Sequence, residues 1–320
     1  MRVQFGLAED GAGDPHDRRA VVLTIGNYDG VHLGHRSIIE SLVENTRALR
    51  GESVVVTFDP HPRCVLDPEN CPSSLTTLDE KRDLLTRLGV DRLVVLEFTR
   101  ALSRWSAEHF CAELGNAFPT LGRMVVGYDF ALGHNRRGDI AFLRNWGSAH
   151  GFDVVAVEAQ QLNGEVVSSS AIRRALLGGD VAAAARLLGR PYFFDSWVQR
   201  GAQRGTRLGF STANLAITPN KCLPMRGIYA MWILVQGEWQ AAATSVGYNP
   251  TFGGDHLTVE AYLLDFAGDI YRERLRAAFV ARLRDERAFG NVEALAEQIA
   301  KDVTAARRQL RRTPAPIELT

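Results

Sequence analysis

No apolar run in this sequence reaches the roughly 18 residues that a membrane-spanning helix needs. The opening stretch, MRVQFGLAEDGAGDPHDRRA, holds no apolar segment of export-signal length. Excess charge of either sign is also missing, since 37 basic residues balance 37 acidic ones without a polybasic block. That balance excludes the electrostatic footprint of a general nucleic-acid binder, yet leaves room for a local site that takes a small anion. Cysteine is scarce. Cys64, Cys71, Cys111 and Cys222 follow no metal-ligand spacing. All four are expected to be small buried hydrophobes, in a protein of the reducing cytoplasm that keeps no contact with membrane or nucleic acid.

What the sequence does hold is enough for two cores. At 320 residues and 46% hydrophobic content the chain is long for one domain. From Ala20 to about Gly189, short apolar runs (AVVLTIG, SVVVTF, DRLVVLEF, RMVVGYDF, FDVVAVEA) alternate with segments of helical spacing. Ile38, Ile39, Leu42, Val43 and Leu49 mark the first helix, with Gly51 as its stop. Thr77 and Glu80 form a capping-box pair, and Asp139 heads a later helix. Strands buried on both faces and separated by helices predict an α/β domain with a parallel sheet.

Gly189-Arg190-Pro191 breaks this pattern and sets the expected boundary between domains 1–190 and 191–320. Beyond it, DSWVQR, GIYAMWILV, EWQAAATSVG and LTVEAYLLDF follow without clear helices and predict a small antiparallel β-barrel. RLRAAFVARLR has helix-favouring residues, but Leu275, Ala277, Phe279, Ala281 and Leu283 alternate as in a strand. Val292, Leu295, Ile299, Val303, Ala306 and Leu310 mark one face of a terminal helix, and the tail TPAPIELT reads as loose.

Chemistry concentrates in TIGNYDGVHLGHRSII, residues 24–39. This stretch joins the end of the first strand to the first helix, where open α/β sheets bind ligands and free backbone N–H groups favour an anion. Gly26, Gly30 and Gly34 permit tight turns and close approach of a ligand. His32 and His35 are three apart and can turn both rings to one side. Two imidazole donors over a phosphate would stabilise charge developing in phosphoryl or nucleotidyl transfer, an electrostatic role rather than a nucleophilic one. A two-histidine zinc site is the competing reading, although no third ligand follows at a sensible spacing.

VTFDPHPR (residues 56–63), VVGYDFALGHNRRGD (125–139) and VSSSAIRRAL (167–176) stand at the ends of further expected strands. Together with GNYDGVHLGH, their order and spacing resemble the adenylyltransferase half of the prokaryotic bifunctional riboflavin kinase/FAD synthetase family, from about Ala20 to Pro191. The resemblance implies a Rossmann-like nucleotidyltransferase domain in which Gly26, Asn27, Asp29, His32 and His35 line ATP. It makes Asp129 a contact to ATP or Mg²⁺, and carries Ser169, Ser170 and Arg173 onto a serine-rich loop over the phosphates, where the arginine pairs with departing pyrophosphate. Residues 168–170 also read as a helix N-cap. Pro60, His61 and Pro62 fall at the flavin end, while Arg136 and Arg137 read as solvated.

RGAQRGTRLGFSTANL (residues 200–215), SVGYNPTFGG (245–254), TVEAYLLDF (258–266) and LRDERAF (283–289) are similar to the riboflavin kinase module of the same family. By that resemblance Glu260 is the general base, and Thr212 and Asn214 contact Mg²⁺ and phosphate as hard oxygen donors. Gly205, Gly209 and Phe210 belong to the loop over ATP, and Arg284, Asp285 and Glu286 lie in the flavin-closing segment. The family pattern has Arg and Pro where this chain has Thr206 and Ser211. Losing the proline frees the backbone ahead of Thr212.

The resulting expectation is an enzyme that uses ATP and Mg²⁺ to convert riboflavin to FMN and FMN to FAD, with weak self-association left open. The alternative, suggested by Thr206 and Ser211, is an FAD synthetase whose kinase barrel is weakened or only binds flavin. Further rivals are a nucleotidyltransferase for another phosphorylated substrate and a flavin sensor without turnover.

Overall fold

The structure is a computed structural model that describes residues 1–7, 18–200, 212–248 and 257–319. The chain divides into two compact units, residues 1–167 and 168–320.

The first unit runs β1 (Arg2–Phe5), β2 (Val21–Ile25), α1 (Leu33–Leu49), β3 (Glu52–Asp59), α2 (Pro62–Leu66), α3 (Leu78–Arg87), β4 (Arg92–Glu97), α4 (Ala107–Ala117), β5 (Leu121–Gly127), α5 (Ile140–His150), β6 (Asp153–Val157), β7 (Gln161–Leu162) and β8 (Glu165–Val166). Six parallel strands form one sheet in the order β1-β4-β3-β2-β5-β6. Strand β2 lies inside it with every residue buried. Val21, Leu23 and Ile25 enter a core with Phe110 and Leu114 of α4, while Val22 joins Ile39, Leu42 and Val43 of α1 on the other face. This two-sided burial is why the strands read as continuous apolar runs. The chain steps from β2 outward to β3 and β4, then crosses to β5 and β6 on the other side. The carboxyl end of β2 is therefore a topological switch point.

Three local expectations change. Strand β1 was not foreseen, because the alternation of Val3 and Phe5 with Arg2 and Gln4 spans only four residues, too short a run to identify a strand. Helix α1 ends with Arg50, not Gly51, in the left-handed conformation (φ 49°). Gly51 is required for another reason: a Cβ there would collide with the Ala20 carbonyl. The segment before Ser168 is a separate two-stranded hairpin, β7 with β8, and adds no strand to the main sheet. The capping box of Thr77 with Glu80 and the Asp139 N-cap are both present.

The second unit contains α6 (Ser169–Leu177), α7 (Val181–Leu188), β9 (Phe193–Gln199), β10 (Thr212–Leu215), β11 (Gly227–Val235), β12 (Glu238–Tyr248), β13 (Leu257–Leu263), β14 (Arg274–Arg284) and α8 (Val292–Leu310). Its strands close into an antiparallel barrel in the order β10-β13-β12-β11-β14-β9. RLRAAFVARLR is strand β14, so alternation prevails over helix propensity. Leu275, Ala277 and Phe279 are buried, but irregular pairing with β11 interrupts the alternation beyond them. Val280 and Leu283 then both pack against the α8 side. The terminal tail is not loose: Trp232 Nε1 donates to the Thr313 carbonyl at 3.0 Å, Arg276 donates to the Leu319 carbonyl at 2.8 Å, and Leu319 is buried. The break between units falls ahead of the expected Arg190–Pro191 boundary, because α6 and α7 pack on each other and α7 packs on β14.

The cysteine expectation fails for one pair. Cys111 and Cys222 are buried free thiols, as foreseen, whereas Cys64 of α2 and Cys71 of the segment after it form a disulfide and are only partly buried. Spacing within a short turn carried no sequence signal for this bridge.

Candidate functional sites

In the first unit the site grows from the turn between β2 and α1. His32 is the N-cap of α1, and its Nδ1 accepts the His35 backbone N–H at 3.3 Å. The two imidazoles stack with centroids 3.6 Å apart and planes 17° from parallel, so they share one side as the spacing predicts. Gly34 leaves room for this, since a Cβ there would press on the His32 ring at 3.2 Å. Gly26 does the same for Tyr28, whose ring would lie 3.0 Å from an added Cβ. The Tyr28 hydroxyl is 2.6 Å from Thr24 Oγ1 within the core, and burial raises its pKa against the opposing effect of that hydrogen bond.

The turn itself is strained. Gly30 has φ 87°, as a glycine allows, but Tyr28 (46°) and Val31 (40°) also sit in the left-handed region. Contacts from neighbouring segments hold it there. The Asp29 carboxylate accepts the Leu75 and Thr76 backbone N–H groups at 2.9 and 3.0 Å, and Gly30 N donates to Thr76 Oγ1 at 3.0 Å. Asp29, expected as an ATP contact, thus clamps the turn to residues 75–76. Lys81 of α3, which the sequence reading did not single out, donates from Nζ to the Asn27 carbonyl at 2.7 Å and to Thr57 Oγ1 at 3.1 Å. It is 7% exposed, and burial depresses its pKa while Asp29 and Asp59 oppose that shift. The only sequence hint was a lysine following the capping-box glutamate of an amphipathic helix.

Neighbouring strand ends bring further expected residues. After β3, His61 caps α2 by accepting Arg63 N–H at 3.1 Å, Pro62 opens that helix, and Pro60 is exposed. His61 Nε2 lies 3.5 Å from Asn27 Nδ2. Asn27 Oδ1 is buried and has no partner among the described residues. After β5, Asp129 is exposed beside Gly127, and Arg136 donates to the Asp129 carbonyl at 2.7 Å. Arg136 is therefore exposed but engaged, closing the Asp129 loop. Val167 ends the first unit with its carbonyl against Gly34.

In the second unit, Ser168 caps α6 by accepting Ala171 N–H at 3.2 Å. Ser169 and Ser170 occupy its first turn, with Arg173 one turn later. On the barrel, Asn214 of β10 is directly opposite Glu260 of β13, which is in turn opposite Ser245 of β12. Val259, Ala261 and Leu263 fill the interior, so this row lies on the outer face. Thr212, two residues from Asn214, shares that face. Glu286 lies over Gly247, where a Cβ would collide with its carboxylate. Arg284, expected in the flavin-closing segment, is paired with Asp302 of α8 through Nε at 2.8 Å and Nη2 at 2.6 Å. Gly205, Gly209 and Phe210, with Thr206 and Ser211, lie outside the described residues.

Among the described residues no three His, Cys, Asp or Glu side chains gather as a metal site. The hydroxyl and amide oxygens of Thr212 and Asn214 beside Glu260 nevertheless fit a hard cation that keeps most of its waters.

The chain matches the family model for FAD synthetase over residues 14–171 and that for riboflavin kinase over residues 188–310. It is 38% identical over 294 residues to a bifunctional riboflavin kinase/FMN adenylyltransferase of Pseudomonas fluorescens, covering 91% of this chain and 93% of that one. The enzyme of the same name from Escherichia coli K12 is 34% identical over 287 residues, covering 89% and 91%. That from Bacillus subtilis 168 is 33% identical over 293 residues, covering 90% and 92%. A crystal structure of a protein called a macrolide-efflux protein, from Streptococcus pneumoniae, matches with TM-score 0.86 at 28% identity, covering 96% of this chain and 99% of that one. Among the described residues no helix is long and apolar enough to cross a membrane.

Proposed function

Since this chain belongs to the bifunctional riboflavin kinase/FMN adenylyltransferase family, we propose that residues 1–190 carry adenylyl transfer and residues 191–320 carry phosphoryl transfer. The enzyme phosphorylates riboflavin to FMN with ATP, then adenylylates FMN to FAD with release of pyrophosphate. Relatives named for both activities do not favour a barrel that only binds flavin.

In the first domain an FMN phosphate oxygen attacks the α-phosphorus of ATP and the bond to the β-phosphate breaks. The nucleophile arrives on the substrate, so positioning and charge stabilisation suffice. His32 and His35 supply donors to the phosphates, and Gly26 and Asn27 receive the nucleotide at the switch point. Ser169, Ser170 and Arg173 take the phosphate and pyrophosphate oxygens, Asp129 approaches ATP, and Pro60, His61 and Pro62 border the flavin. The stacked histidine pair at a helix N-terminus is the observation that supports this reading most.

In the barrel Glu260 takes the proton of the riboflavin 5′-hydroxyl as that oxygen attacks the γ-phosphorus, the bond from the γ-phosphorus to the β-phosphate oxygen breaks, and ADP leaves. Thr212 and Asn214 would hold Mg²⁺, which when bound neutralises charge on the transferred group. Arg284 anchors the segment that presents Glu286 to the flavin. ATP as co-substrate supports a cytoplasmic location.

The test is a time course with MgATP started from riboflavin or from FMN, with the flavins separated by chromatography. FAD is expected from both. With Glu260→Gln, FMN formation should collapse while FAD formation from supplied FMN persists. Persistence of both would remove Glu260 as the base, and no product from either flavin in the parent protein would remove the reading as a whole.

A further inference from the structure

We infer that Lys81 is a positioning residue for adenylyl transfer: with Thr57 it holds the Asn27 carbonyl, and so fixes the turn that receives the nucleotide. The inference rests on reading residues 26–35 as that nucleotide site.

A lysine is rarely this buried unless paired, because the ammonium loses its hydration. Here Lys81 Nζ is 2.7 Å from the Asn27 carbonyl and 3.1 Å from Thr57 Oγ1, and Thr57 Oγ1 itself donates to the Asn27 carbonyl at 3.2 Å. Two donors from different elements, β3 and α3, thus converge on one acceptor at the end of β2. That acceptor immediately precedes Tyr28, the first left-handed residue of a turn that has another at Val31. Such backbone persists only where the surroundings over-determine it. Thr24 holds Tyr28 through its hydroxyl, Leu75 and Thr76 hold Asp29, and Lys81 with Thr57 holds Asn27.

The lysine does more than fill space. Asp29 and Asp59 both favour its charged form against the cost of burial. The residue it holds also carries a buried side-chain oxygen, Asn27 Oδ1, without a partner among the described residues, which a bound donor would satisfy. A shift of the Asn27 carbonyl would displace that oxygen and the His32 cap together, since both belong to the same short turn.

The experiment uses the full-length chain carrying Lys81→Met, Thr57→Val, or both. FAD formation from FMN and FMN formation from riboflavin are measured in the same preparations, with thermal melts. Lys81→Met should lower kcat/KM for ATP in FAD formation by about ten- to a hundred-fold. Riboflavin phosphorylation should stay at the parent level. Thr57→Val should raise the KM for ATP in the same reaction, and the double variant should lose no more than Lys81→Met alone, because both donors act through one carbonyl. Unchanged FAD kinetics in Lys81→Met would overturn the inference, as would losses that add in the double variant or vanish once rates are referred to the folded fraction. If Lys81→Met fails to fold, an unchanged KM for ATP in Thr57→Val overturns it. Absence of FAD formation in the parent protein would instead strike the reading of the site itself.

Discussion

His32 caps helix α1 with its own ring, accepting the His35 backbone N–H at Nδ1 over 3.3 Å while the two imidazoles stack 3.6 Å apart. An Nδ1 that accepts a backbone N–H leaves the proton of the neutral ring on Nε2, as a donor directed away from the helix. Capping and donation are therefore separable functions of one side chain. His32→Asn retains a capping oxygen and removes the ring donor. Its melting temperature should stay near that of the parent, while FAD formation falls by about 10²–10³-fold. His32→Ala should show the same kinetic loss and, in addition, about 1 kcal/mol less stability. Neither should alter riboflavin phosphorylation. A parental FAD rate in His32→Asn would remove the ring from the chemistry.

Gly247 gives a second, independent handle on the barrel. A Cβ at that position would meet the Glu286 carboxylate, the far end of a flexible and exposed side chain. Gly247→Ala should therefore push Glu286 aside at little cost, within about 0.5 kcal/mol. If Glu286 binds flavin, the KM for riboflavin should rise about tenfold, the scale of one lost hydrogen bond to a charged group. The KM for ATP in the same reaction should not move. An unchanged riboflavin KM would take Glu286 out of flavin recognition.

Periodicity and caps made most of the elements legible. Val21–Ile25 reads as a strand buried on both faces because it lies between two cores. Leu275, Ala277 and Phe279 read as a strand because each enters the barrel. The histidine spacing gave the stacked pair, since a helix start turns positions three apart to one side. Tertiary partners were not legible. Asp29 carries no mark that its carboxylate would be taken by Leu75 and Thr76, nor Arg284 that Asp302 would claim its guanidinium. Nothing in the sequence singles out Lys81 on its amphipathic helix, and only the turn of the chain at Asn27 gives it a buried partner.

The cysteines make a chemical test of the fold. Burial pushes the Cys111 thiol up to about 12, and Cys222 is buried as well. Neither should react with a thiol reagent in the native protein, because the reactive species is the thiolate. Protein purified without reductant should yield two thiols on unfolding, from Cys111 and Cys222, and four after reduction of the Cys64–Cys71 bridge. Reduction should also cost about 2 kcal/mol of stability, as expected for so short a closed loop. Four thiols before reduction would mean that Cys64 and Cys71 are not joined.

Lys81 should leave a signature in the pH dependence of stability. Its pKa in the folded chain lies below the usual 10.5, with burial as the dominant cause. Between the depressed value and 10.5, the unfolded chain keeps a proton on this lysine that the folded chain has released. Unfolding therefore takes up a proton, and stability attributable to Lys81 rises with pH across that window; below it, the buried charge is a standing cost. Lys81→Met removes the titration. The difference in unfolding free energy, parent minus variant, should climb through the alkaline range and level off once the lysine is neutral in both states. Urea unfolding at a series of pH values would measure it. A flat difference would mean that burial leaves the proton affinity of Lys81 unaltered. A falling difference would mean that Asp29 and Asp59 outweigh desolvation and hold the ammonium more firmly in the fold than in water.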